Sequence, residues 1–136
     1  MESKNDLPAK LDAVNTALFG LERRLSQGEK LPLSETVDQA IALVEDILRA
    51  FADAEGKPYA ESDRILELWK KLVKGEPTLN TIRDNCRELV YYRNCIDMQR
   101  EDALPPHPER MAVRTARHIY LYMRSRAEQR GMLQED

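Results

Sequence analysis

Six apolar residues near the amino terminus, Leu7, Leu11, Val14, Leu18, Leu21 and Leu25, recur at alternating spacings of four and three. On an α-helix this repeat gathers them into one seam, as in bundles and coiled coils, whereas a strand would scatter them over both faces. Asp6 stands where a side chain can cap the first free amides, Pro8 fits the first turn, and Gly28 stops the run. The seam has two available partners, the rest of the chain or a second copy.

The same punctuation continues. Pro32 and Ser34 predict the start of a second helix, with Ser34 as cap. Its buried stripe is Val37, Ala40, Ile41, Val44, Ile47, Leu48 and Phe51, and it halts at Gly56-Lys57-Pro58. Ser62 is the expected cap of a third, shorter helix carrying Ile65, Leu68, Trp69, Leu72 and Val73, broken at Gly75-Glu76-Pro77. A fourth is predicted from about Thr78, with Leu79, Ile82, Cys86, Leu89, Val90 and Ile96 inward. Three prolines within Pro105-Pro106-His107-Pro108 end it. The last runs from Pro108 or Glu109 to Arg130, where Gly131 closes it. Val113, Ala116, Ile119, Tyr120, Met123 and Ala127 form its core face. Nothing alternates with period two for long enough to predict a strand. The expectation is an all-α, antiparallel helical bundle of four to five helices, one domain spanning 1–136.

With 42% apolar and 33% charged residues, the composition is that of a surface-charged globular chain. No apolar run approaches the ~20 residues of a membrane span, and Met1 to Asp6 lacks a signal peptide's apolar core, so a cytoplasmic protein without membrane contact is expected. The two cysteines, Cys86 and Cys95, lie on opposite sides of one predicted helix, which suits small buried thiols and not a bridge. With only two histidines, His107 and His118, a closed zinc site is not expected. Asp38, Glu45 and Asp46 would serve a metal only with carboxylates from a partner helix. Glycine loops and nucleophile elbows are missing from the sequence, and no cofactor is expected.

The net charge of −3 is unevenly spread. Residues 1–60 carry 7 basic and 11 acidic side chains, residues 61–136 carry 14 and 13, and Arg110 to Arg130 sets six arginines against Glu128 alone. Helical geometry places Arg110, Arg114, Arg117 and Arg124 on one strip beside the core face. Such a strip can track phosphates, because guanidinium binds them bidentately and stays charged. It can equally be a solvated face, or pair with the acidic first two helices or with a partner.

In the fourth helix the run Leu89-Val90-Tyr91-Tyr92-Arg93-Asn94-Cys95-Ile96-Asp97-Met98 puts an arginine beside apolar neighbours. An arginine so placed needs a partner or an anion. Glu45, Asp46, Glu88 and Asp97 are the available acids, and Asn94 can cap or cross-link backbone. The run also resembles the HEPN group, helical domains carrying an Arg-Asn-x-x-x-His signature on a late helix. The resemblance covers residues 35–125 as architecture, and only Arg93 and Asn94 as residues. It implies a dimerising bundle, with an RNA-binding or metal-independent RNA-cleaving site at Arg93 and Asn94. Met98, however, stands where the family has its histidine, and a thioether cannot shuttle protons. A looser match pairs Arg100 with His107, which sits between prolines. The resemblance therefore implies a catalytically degenerate member.

Tyr91, Tyr92, Tyr120 and Tyr122 concentrate in the last two helices, as core residues with the hydroxyl at the rim or as stacking surfaces. His118 is either a surface histidine or a phosphate ligand beside Arg117. Taken together, the expectation is a non-enzymatic interaction module: a homodimer binding a protein partner, of antitoxin, immunity or regulatory adaptor type. The alternative is the HEPN-like RNA domain.

Overall fold

The computed structural model describes residues 6–134. Residues 1–5, which carry most of the segment expected not to be a signal peptide, lie outside the described residues. Among those described there is helix and no strand: α1 (Leu7–Ser26), α2 (Leu33–Glu55), α3 (Ile65–Val73), α4 (Arg83–Asp97) and α5 (Pro108–Gln129). Short 3-10 turns at Pro77–Ile82 and Glu101–Ala103 precede α4 and α5. The chain is an all-α helical bundle.

The bundle is organised around α2, which packs against each of the other four helices. The sequence accounts for this place: its apolar positions extend beyond one stripe to Leu43, Ala50 and Ala52, which are buried along with the predicted seven. The α1 seam closes within the chain, against α2 and α5. Leu7, Leu11, Val14, Leu18 and Leu21 are at most 4% exposed, so they offer nothing to a second copy. One continuous core draws side chains from all five helices.

Two helix starts differ from expectation, and a third falls where expected without its side-chain cap. Asp6 is the N-cap of α1, but its side chain makes no capping bond. The α2 N-cap is Pro32, which puts Ser34 inside the first turn, where its hydroxyl accepts from Arg93 Nη2 at 3.1 Å. The α3 N-cap is Arg64, whose N–H donates to Glu67 Oε1 at 2.6 Å. Ser62 falls inside a separate turn, closed by Asp63 N–H on the Ala60 carbonyl (2.9 Å) and Ala60 N–H on Asp63 Oδ2 (3.1 Å).

The predicted fourth helix is split. The indole of Trp69 donates to the Leu79 carbonyl (2.9 Å) and the Tyr122 hydroxyl to that of Thr78 (2.9 Å). Two carbonyls that an α-helix would use internally are thereby held from outside. The segment from Pro77 stays a 3-10 turn, and the α-helix begins at Arg83.

Candidate interaction surfaces and the Arg93 cluster

Arg93 projects from α4 toward the first turns of α2. Its guanidinium is ion-paired to Asp38, donates through Nε to Asp97 Oδ1 at 3.1 Å, and through Nη2 to Ser34 Oγ at 3.1 Å. Asp97, expected from the i,i+4 spacing, is a partner. Glu45 and Asp46 are not: they sit about two turns further along α2, some 10 Å away. Glu45 instead accepts from Arg64 Nε at 2.8 Å, and Asp46 lies 3.9 Å from Arg49. Glu88 turns to α5 and its own helix, accepting from Tyr92 (2.6 Å) and Thr115 (3.3 Å).

The cluster is thus a clasp between two helices. Asn94 points to solvent, and the Met98 side chain is 71% exposed at the end of α4. His107 lies on a different element, in the left-handed conformation (φ 54°, ψ 55°) at the N-cap of α5. It borders a proline-lined cleft of about 630 Å³ with Leu31, Leu104, Glu101 and Glu109. Arg100, its proposed companion, is engaged by Asp102 at 3.0 Å through two nitrogens. Arg93, Asn94 and His107 do not converge on one bonded cluster. Among the described residues no three His, Cys, Asp or Glu side chains gather as a metal site; Asp38 faces Arg93, Glu45 faces Arg64 and Arg49, and Asp46 faces Arg49.

The arginine strip on α5 divides in two. Arg117 holds Glu22 of α1 bidentately (2.8 and 2.9 Å), donates to Asn15 Oδ1 at 2.6 Å, and lies 5.1 Å over the Tyr120 ring. Arg124 donates to the Tyr120 hydroxyl at 2.7 Å and reaches Asp12 at 3.5 Å. These two pair with the acidic first helix. Arg110 and Arg114 are exposed and take no part in any ion pair among the described residues. They form one wall of a groove of about 400 Å³ between the end of α1 and the start of α5, with Leu25, Ser26 and Val113 opposite and beneath. His118 is exposed one turn on from Arg114.

Two further arginines close the far end of α5. Arg126 Nε donates to Glu76 Oε2 at 2.7 Å, and Arg130 bridges Glu76 and Glu55, tying α5 to the connector before α4 and to the end of α2. Burial alone would raise the Glu76 pKa; the bonds from Arg126 and Thr78 and the charge of Arg130 outweigh it and hold the carboxyl below its ordinary range.

Cys86 and Cys95 are free and buried, Cys86 in the core with its thiol pushed up to about 12 by burial. Tyr92 and Tyr120 are core residues with bonded hydroxyls, and Tyr122 is half-buried; Tyr91 is the exposed one. Its hydroxyl donates to the Ala103 carbonyl at 3.2 Å.

Among the described residues four large apolar side chains are exposed: Phe19 (60%), Tyr91 (49%), Met98 (71%) and Leu121 (55%). Phe19 and Leu121 flank the α1–α5 ion-pair seam. Phe19 lies between Asn15 and Glu22 in the helical register, and Leu121 between Arg117 and Arg124. Both stand outside the buried stripes of their helices, a signal present in the sequence that the reading of core faces passed over. Tyr91 and Met98 belong to a second strip on α4, with exposed Arg87 and Asn94 at spacings of four, three and four.

No family model, characterised protein or solved structure matches this chain. No helix of the described residues is long and apolar enough to cross a membrane.

Proposed function

We propose that this protein is a non-enzymatic helical interaction module that forms a homodimer and binds a protein partner. The observation that carries the reading is the exposure of Phe19, Leu121, Tyr91 and Met98 in two strips, on a molecule whose core is otherwise closed. Exposed apolar side chains clustered beside polar residues mark surfaces that other chains cover.

The α4 strip suits the dimer. Arg87, Tyr91, Asn94 and Met98 follow the 3-4 spacing by which helices pair, and a two-fold axis would set the strip against itself. Asn94 then faces a polar partner across the axis, a device that fixes register. The α1–α5 face is left for the partner protein. Arg93, clasped by Asp38 and Asp97, supports a structural role for the motif arginine, and Met98 offers no proton to a reaction.

Light scattering after size exclusion tests the dimer: twice the chain mass is expected, with Met98→Glu reverting it to the monomer. A strict monomer at high concentration overturns this part.

The HEPN-like alternative keeps one observation in its favour, the two exposed guanidiniums of Arg110 and Arg114, which make no ion pair among the described residues. It predicts metal-free cleavage of total RNA that disappears in Arg93→Ala, or salt-dependent RNA retention. Neither is expected on the primary reading.

A further inference from the structure

Arg110, Arg114 and Arg117 stand on successive turns of α5, where like charges repel. Arg117 is neutralised by Glu22, and the other acid that α1 brings to this seam, Asp12, is taken by Arg124. Among the described residues no acid is therefore ion-paired to Arg110 or Arg114, which line the groove over half-buried Leu25. Both walls continue into exposed apolar residues: Ser26 and Glu22 lead to Phe19 on α1, and Arg114 and Arg117 lead to Leu121 on α5. Leu121 is two turns, about 10 Å, from Arg114.

We propose that this groove binds an acidic amphipathic segment of a partner protein. Carboxylates of the segment engage Arg110 and Arg114, one apolar side chain rests on Leu25, and a second apolar pair, about two helical turns away, covers Phe19 and Leu121. The chemistry follows from complementarity. Two unpaired guanidiniums call for anions, while the apolar floor and the paired apolar rim call for hydrocarbon at fixed spacing, which a phosphate backbone lacks. The proposal rests on the reading of the chain as a protein-interaction module and gives that module a site.

The test is selection from a random-peptide display library, three to four helical turns long, on the full chain. Enriched peptides are expected to carry two or more acids about two turns from an aromatic or aliphatic pair. Their affinity is expected to fall about tenfold or more in R110E/R114E, to fall less in R110Q/R114Q, and to weaken with added salt and in F19S/L121S. Neither arginine makes an ion pair among the described residues, so the thermal unfolding of both arginine variants is expected to match the parent.

An empty selection, or peptides indifferent to R110E/R114E, overturns the groove. In the second case the module reading stands with its site elsewhere, and in either case its homodimer part stands or falls by light scattering alone. A poly-uridine oligonucleotide that binds with the same dependence on Arg110 and Arg114, and displaces the peptides, overturns the choice of occupant in favour of nucleic acid.

Discussion

Arg93 and Asp38, 55 residues apart in the chain, are ion-paired across the α2–α4 contact, with Ser34 and Asp97 completing the coordination of the guanidinium. The arginine is half-buried while Asp38 and Asp97 remain largely solvated, so the clasp avoids the desolvation of a fully buried pair.

Replacing Arg93 with Ala is therefore expected to lower stability by about 1–3 kcal/mol, the range of charge-assisted hydrogen bonds. Arg93→Lys recovers part of this, since an ammonium lacks the fork that reaches Ser34 and both acids. Asp38→Ala costs less, about 1 kcal/mol or below, because the lost partner was exposed. Urea unfolding of the three variants measures the order. An Arg93→Ala protein as stable as the parent would show that the arginine is held for a ligand and not for the fold.

Glu76 links stability to acid. Its carboxyl titrates below the ordinary glutamate range in the folded chain, so the stabilisation it gives is present above the unfolded pKa. It is lost as the pH falls through the folded value. Glu76→Gln is expected to be less stable at neutral pH by about 1–2 kcal/mol and to show a shallower loss on acidification. Thermal melts in a pH series from neutral to acid compare the two slopes; parallel slopes would remove Glu76 from the acid response.

Thiol chemistry offers a clean probe of the core. With its pKa at about 12 and no solvent exposure, Cys86 is expected to resist maleimide at mildly alkaline pH in the native protein and to react at once in denaturant. A Cys95→Ser background isolates the signal. Rapid native labelling would mean that α4 opens without global unfolding.

His107 holds a left-handed backbone immediately before Pro108, a position that L side chains rarely occupy. His107→Gly is expected to be neutral or stabilising by up to about 0.5 kcal/mol, as relief of strain exceeds the added chain entropy. His107→Val is expected to cost about 1–2 kcal/mol, because a β-branched side chain fits this region worst. Equal melting temperatures for the two variants would show that the turn before α5 rearranges freely.

The periodicity of apolar residues and the proline and glycine stops determined the five helices, since hydrogen bonding within a helix and the loss of it at proline are local properties. Val113, Ala116, Ile119, Tyr120, Met123 and Ala127 on α5 and the seven-residue stripe of α2 are buried as the spacing required. Helix starts were less legible. Ser34 and Ser62 have the right chemistry for caps, but Arg93 from 59 residues away and the Ala60–Asp63 turn engage those places.

Pairing of charges was decided by tertiary structure alone. Arg117 and Arg124 on the predicted strip find acids on α1, about a hundred residues away in the chain, while Arg110 and Arg114 on the same strip find none among the described residues. Helical angle fixes which side of its own helix a residue occupies, but the height of a neighbouring helix, set by core packing, fixes which acid stands opposite. That register separated a clasp at Arg93 from a groove at Arg110 and Arg114, and no spacing within one segment contains it.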